Sequence, residues 1–346
     1  MRNQAAYLTA SKTIEIRDCP MPTVGPDDVL IEIKHCGICG SDVGFYVDPT
    51  LGGHHKTTLP VVLGHESAGV VVELGSNVKN LAVGDRVAIE PGIPCGKCHY
   101  CLSGQYNLCR DVDFMACYPW KRAAMCRYIS HPAAFCFKLP DNVSTVEGAM
   151  IEPLAVGLHA ASRSGAHLGQ SAVILGSGCI GLMTLMSIKA MGVSTIIVAD
   201  VFDNRLEVAR KLGATYTINA AQEDTVKRVL ELTNGEGTDL VYETAGNVKT
   251  TASTPYLVKA GGTIAVVGNV HDPVPMDFLT LNGKEVTVMT TFRYRNIYPM
   301  AINAISAGSI NVQAVATNFM PFEKVAEAFD IALTQKQSAL KVVVEM

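Results

Sequence analysis

Apolar and polar positions fall into two regimes along this chain. Over the first 150 residues, short apolar runs are separated by Gly, Pro, Asn and Asp. Examples are Val29-Leu30-Ile31-Glu32-Ile33, Val70-Val71-Val72, Arg86-Val87-Ala88-Ile89 and Cys126-Arg127-Tyr128-Ile129. Such punctuation predicts short strands joined by turns. From about residue 170 wholly apolar strands alternate with amphipathic stretches. The expected strands are 172–175, 195–200, 215–218, 239–243, 263–267 and 286–289, with helices running through Met191 and over 204–212, 222–233 and 248–258. That alternation predicts a parallel sheet covered by helices on both faces. The tail predicts helices over 296–307 and 322–335 and a closing strand, Lys341-Val342-Val343-Val344.

Composition narrows the class. The chain has 346 residues, long enough for two domains, is 48% hydrophobic and 17% charged, and carries 30 glycines. A formal net charge of −4 with no Lys/Arg cluster argues against a nucleic-acid partner. The N-terminal stretch lacks the apolar core of a signal peptide, and no apolar run reaches the ~18 residues a membrane helix needs. A cytoplasmic, reduced protein is expected. Of 11 cysteines, Cys95, Cys98, Cys101 and Cys109 sit within fifteen residues. In a reducing compartment, clustered thiols read as metal ligands rather than disulfides. The scattered ones read as small buried hydrophobes.

Three constellations carry chemistry. The C-x₂-C-x₂-C-x₇-C run closes a tetrahedral thiolate shell and predicts a structural zinc. Cys39, His65 and Glu66 offer one thiolate, one imidazole and one carboxylate. Three protein ligands leave a coordination position open, as a catalytic zinc requires. Asp42 is placed to accept the free N–H of His65, and Ser41 to carry away an alcohol proton. Glu152, a carboxylate in an apolar segment, reads as a further ligand or a partner of zinc-bound water. His35, His99, His131 and His159 are given no role, and the pair His54-His55 with Lys56 reads as a solvated loop.

The third constellation is Gly176-Ser177-Gly178-Cys179-Ile180-Gly181, a G-x-G-x-x-G between a strand and a helix. Asp200 follows nineteen residues later at a strand end. This is a dinucleotide fingerprint with a carboxylate for the ribose hydroxyls. Asp200 and Asp203 favour NAD by repelling the 2′-phosphate of NADP, and Arg205 is the counter-signal. Cofactor contacts are expected at Gly176, Gly178, Ile180, Gly181, Asp200, Arg205 and Val267.

In this order, Cys39-Gly40-Ser41-Asp42, Gly64-His65-Glu66, the four cysteines, the glycine loop and Asp200 resemble the zinc-dependent medium-chain dehydrogenase/reductase superfamily. The stretches Val87–Gly92, Ala134–Val143, Glu147–Leu154 and Phe292-Arg293-Tyr294 resemble its polyol branch, the sorbitol and xylitol dehydrogenases. The resemblance implies an α/β fold: a GroES-like β-rich catalytic domain, residues 1–153 and 292–346, interrupted by a Rossmann doubly wound parallel sheet, residues 154–291. It also implies two Zn²⁺ per chain, NAD, a homo-oligomer (dimer or tetramer), and polyol contacts at Arg293 and Tyr294.

Two positions depart from the pattern. Gly44 stands where many relatives carry a proton-relaying histidine, and Phe45 where they often have a tyrosine. The expected reaction moves hydride from a secondary hydroxyl of a linear polyol to NAD, giving a ketose. L-Threonine 3-dehydrogenase, 2,3-butanediol dehydrogenase and a catalytically dead relative remain as alternatives.

Overall fold

The computed structural model describes residues 2–51, 53 and 57–346, so His54, His55 and Lys56 lie outside the described residues. The chain forms two compact units. One runs through Glu152 and takes back Tyr298–Ala307 and Val312–Met346; the other is Pro153–Ile297 with Gly308–Asn311. Residues 292–297, expected in the catalytic domain, therefore belong to the second unit, as do Gly308–Asn311.

The first unit is β-rich. Strand Asp28–Gly37 is its spine, pairing antiparallel with Glu66–Leu74, with Tyr128–Pro132 and with Val342–Glu345. The sheet extends through Arg86–Ile89 and Cys136–Lys138 on one side and Asn318–Pro321 on the other. Its core gathers Leu8, Ile31, Ile33, Val71, Val87, Ile89, Phe322 and Phe329. The closing strand pairs with the spine, which makes the C-terminal residues part of this sheet. The expected strand at Cys126 begins instead at Tyr128; Cys126 forms an isolated bridge with Ala5. The hairpin Asn3–Ala10/Thr13–Cys19 escaped the sequence pattern. Its second strand is exposed or half-buried along its length, so it lacks an apolar signature.

The second unit holds a six-stranded parallel sheet. Its order is Tyr216–Asn219, Thr195–Asp200, Ser171–Leu175, Thr238–Glu243, Val258–Val266, Thr287–Thr290. In chain order that is 3-2-1-4-5-6, the doubly wound arrangement whose strand order reverses beside the first strand. Fully buried Val173, Ile197, Val241 and Ile264 explain the uninterrupted apolar runs: the central strands are covered on both faces. The helices match expectation within a few residues, and side-chain caps set the starts of two of them. Asp224 accepts from Lys227 N at the head of Thr225–Leu232, and Asn247 from Lys249 N at the head of Val248–Leu257. No helix among the described residues is long and apolar enough to cross a membrane.

Candidate metal and dinucleotide sites

In the first unit the spine strand ends at Gly37, and Cys39 caps the short helix Gly40–Val47 that follows. His65 and Glu66 stand at the start of the neighbouring strand, where Glu66 is the register partner of Gly37. Adjacent strands thus bring residues 39, 65 and 66 together. Their ligand atoms all lie within 4.8 Å of one another, with His65 and Glu66 buried and Cys39 half-buried.

Asp42 holds the two ligand segments in place. One carboxylate oxygen accepts from the Cys39 backbone N–H at 3.0 Å; the other accepts from Gly64 N–H at 3.1 Å and lies 3.6 Å from His65 Nδ1. Burial alone would raise the Asp42 carboxyl. The His65 ring and the two backbone donors outweigh burial and hold it below the usual range. For His65, burial acts downward, and Asp42 and the Cys39 sulfur override it, pushing the imidazole well above its ordinary value. Phe114 walls the ring at 5.7 Å between centroids.

The residues fit a metal. Glu66 Oε2 is buried with no hydrogen-bond partner among the described residues, a cost that a cation removes. Glu152, in the first turn of helix Ile151–Arg163, is buried but lies outside the three-ligand cluster. Ser41 is exposed in the first turn after Cys39. Phe45 is buried and packs edge-on against Trp120 at 4.8 Å.

Sequence reasoning missed Lys341. Its ammonium is buried and donates to Glu66 Oε1 at 2.6 Å and to the Ile38 carbonyl at 3.0 Å. The only sequence signal was a lysine at the edge of an apolar strand.

Also missed was Glu90, buried at the end of strand Arg86–Ile89 and accepting from the Tyr106 hydroxyl at 2.8 Å. Burial pushes its carboxyl up to about 7; the Tyr106 hydrogen bond acts downward and the Glu152 charge upward. The folded state thus keeps a proton that the unfolded chain releases above 4.5. Stability is undiminished below that pH and falls as pH rises toward 7. The interval corresponds to about 3 kcal/mol. Glu90→Gln is accordingly expected to gain stability over the parent progressively from pH 5 to pH 8 in denaturant titrations. A difference independent of pH would show that Glu90 is charged in the folded protein.

The four cysteines of the lobe form a second cluster, with all four sulfurs within 4.8 Å of one another. Cys98 and Cys101 sulfurs are 3.5 Å apart, and those of Cys95 and Cys101 3.9 Å. Tetrahedral zinc with Zn–S bonds of about 2.3 Å sets sulfur separations near 3.8 Å, so the shell fits that ion. Backbone N–H groups of Lys97 and Cys98 draw the Cys95 thiol down to about 7. Among the described residues, neither cluster includes His35, His99, His131 or His159.

In the second unit the glycine loop joins strand Ser171–Leu175 to helix Cys179–Ala190. Gly176 has φ +97°, and a Cβ at Gly181 would meet the Gly176 carbonyl oxygen at 1.9 Å, so turn and helix close together only without side chains there. Asp200, buried at the end of its strand, accepts from Ser177 N–H at 2.6 Å and from Phe202 N–H at 3.1 Å. Arg205 lies over the Phe202 ring at 5.2 Å and feels the Asp200 charge. Asp203 accepts from Asn219 Nδ2 at 2.7 Å. Val267, just past its strand, donates its N–H to the Glu243 carbonyl. Arg293, with φ +53°, stacks over Phe292 at 4.8 Å, and Tyr294 beside it is buried.

Family models match the chain in two places: the alcohol dehydrogenase GroES-like domain at residues 25–141 and the zinc-binding dehydrogenase at residues 179–307. The chain is 39% identical to a sorbitol dehydrogenase of Bacillus subtilis (strain 168), over 99% of this chain and 96% of that one. It is 41% identical to a D-xylulose reductase of Morganella morganii, over 95% and 97%. A crystal structure of an Escherichia coli oxidoreductase/dehydrogenase of unknown specificity superposes with a TM-score of 0.97 at 45% identity, covering 100% of this chain and 99% of that one.

Proposed function

The chain belongs to the zinc-dependent medium-chain dehydrogenase/reductase superfamily, in the branch of the sorbitol dehydrogenases, and from that premise we propose that it oxidises a secondary hydroxyl of a linear five- or six-carbon polyol to a ketose with NAD. The observation that carries the reading is the Cys39/His65/Glu66 cluster, a ligand set of three with a position left for substrate. Zinc bound there supplies Lewis-acid polarisation of the substrate oxygen, and the cofactor accepts the hydride.

The remaining work falls to side chains. Asp42, 3.6 Å from His65 Nδ1, would orient the ring and leave its other nitrogen for the metal. Ser41, exposed in the first helical turn, takes the hydroxyl proton and hands it to solvent, since Gly44 carries no side chain to relay it. Glu152 stands near enough to Glu90 for their charges to interact, and acts on the substrate site through water. Arg293 and Tyr294 donate to hydroxyls remote from the reacting carbon. Cys95, Cys98, Cys101 and Cys109 hold the second zinc. The reading includes a cytoplasmic homo-oligomer.

Asp200 favours NAD because a buried carboxylate repels the 2′-phosphate. Asp200→Ala is expected to narrow the NAD-over-NADP ratio of kcat/KM by about tenfold, the effect of about 1.4 kcal/mol. A parent enzyme equally active with NADP would make Arg205 the dominant reader instead. The decisive experiment is a substrate panel: sorbitol, xylitol, ribitol, L-threonine and 2,3-butanediol, each with NAD and NADP. A polyol is expected to give the highest kcat/KM with NAD. Preference for threonine or butanediol would overturn the substrate class and leave the zinc–nicotinamide chemistry standing.

A further inference from the structure

Glu66 sits between two claims on its charge. Its Oε1 accepts from the Lys341 ammonium at 2.6 Å, both side chains being buried, at 1% and 4% side-chain exposure. Its Oε2 has no hydrogen-bond partner among the described residues. The two residues are 275 positions apart and flank the spine strand on opposite sides: Glu66 is the register partner of Gly37 from one neighbour, and Val343 pairs with Gly37 from the other. Gly37, with no side chain, leaves room for the Glu66 carboxylate that Lys341 meets. A Cβ there would stand 2.2 Å from Glu66 Oε2. The Ile38 carbonyl anchors the ammonium at 3.0 Å.

A buried carboxylate without a counter-charge is strongly destabilising, whereas a paired one is tolerated. Without metal, Lys341 is the cation that pairs with Glu66. We propose that Lys341 is a positioning residue, a resident counter-ion that seats Glu66 before metal arrives and shares the carboxylate with it afterwards. The proposal rests on reading Cys39, His65 and Glu66 as the catalytic metal site. Its consequence has a definite sign. Lys341 stabilises the metal-free site more than the loaded one, so it lowers zinc affinity while letting the sheet form without zinc. Removing it makes the sheet lean on the metal.

The test compares the parent, Lys341→Met and the double variant Glu66→Gln/Lys341→Met by thermal melts with and without zinc and by zinc competition against a chelator. For Lys341→Met, the metal-free Tm is expected to drop by about 6 °C or more. Zinc should recover most of that loss, and half-loading should need about tenfold less free zinc than in the parent. Removing both charges should return the metal-free Tm to near the parent value. If metal-free Lys341→Met does not fold and the double variant does, the charge-pair account stands. Equal zinc-dependent Tm gains in parent and Lys341→Met, or a double variant as unstable as the single, would overturn it in favour of simple packing. Failure of the underlying site reading is a separate result: the parent would then bind zinc only at the four-cysteine lobe.

Discussion

Cys39→Ser protein is expected to carry one zinc per chain instead of two and to lose at least about a thousandfold in turnover. The loss follows from coordination chemistry. A neutral serine hydroxyl is a poor substitute for a thiolate, and the two ligands left, His65 and Glu66, are too few to hold a three-ligand zinc site. The Lewis-acid contribution that goes with the ion is worth several kcal/mol, and about 4 kcal/mol is about a thousandfold in rate. The fold should survive. The Cys39 backbone N–H, not its sulfur, makes the bond to Asp42 that starts the helix. The four-cysteine cluster uses none of these atoms. Metal analysis, circular dichroism and turnover on one preparation check all three statements. Two zincs retained, or activity within tenfold of the parent, would remove Cys39 from the site.

Arg293→Ala and Tyr294→Phe should each lower kcat/KM on polyols by about 10- to 100-fold, since leaving a substrate hydroxyl unpaired in a closed site costs about 1–3 kcal/mol. The backbone at Arg293 is left-handed, φ +53°, and the guanidinium is held against Phe292, so this donor is fixed rather than free to wander. A short secondary alcohol such as 2-butanol has no distal hydroxyls to hold, and its kcat/KM should change far less. Equal losses on both substrates would show that the pair supports the cofactor or the fold. Because Tyr294 is buried, thermal melts of Tyr294→Phe accompany the kinetics.

Residues whose partners lie a few positions away along the chain are legible in the amino-acid sequence. The glycine loop is readable because its turn and its helix start are adjacent in sequence. The four-cysteine shell is readable because three of its ligands span seven residues. The central strands declare themselves by apolar runs, as burial on both faces demands. Elements without such a signature are missed or displaced. The hairpin strand Thr13–Cys19 is exposed or half-buried throughout, and helix Phe278–Gly283 is six residues long with one buried residue.

What the sequence alone determined is the inventory: which residue types are present, at spacings that local backbone geometry converts into strands, a phosphate-cradling turn and two ligand sets. What tertiary structure decided is which distant charges meet. Register between neighbouring strands brought Glu66 opposite Gly37, whose bare backbone leaves room for the carboxylate that Lys341 meets. The same packing gave Asp42 its second oxygen for the Gly64 N–H and kept Glu152 out of the three-ligand cluster. It also enclosed Glu90, raising its carboxyl to about 7. The physical reason is the range of the forces that matter. Spacing fixes contacts a few residues away, whereas desolvation and Coulomb energies depend on what lies within a few ångströms in space, and only the register of the sheet sets that.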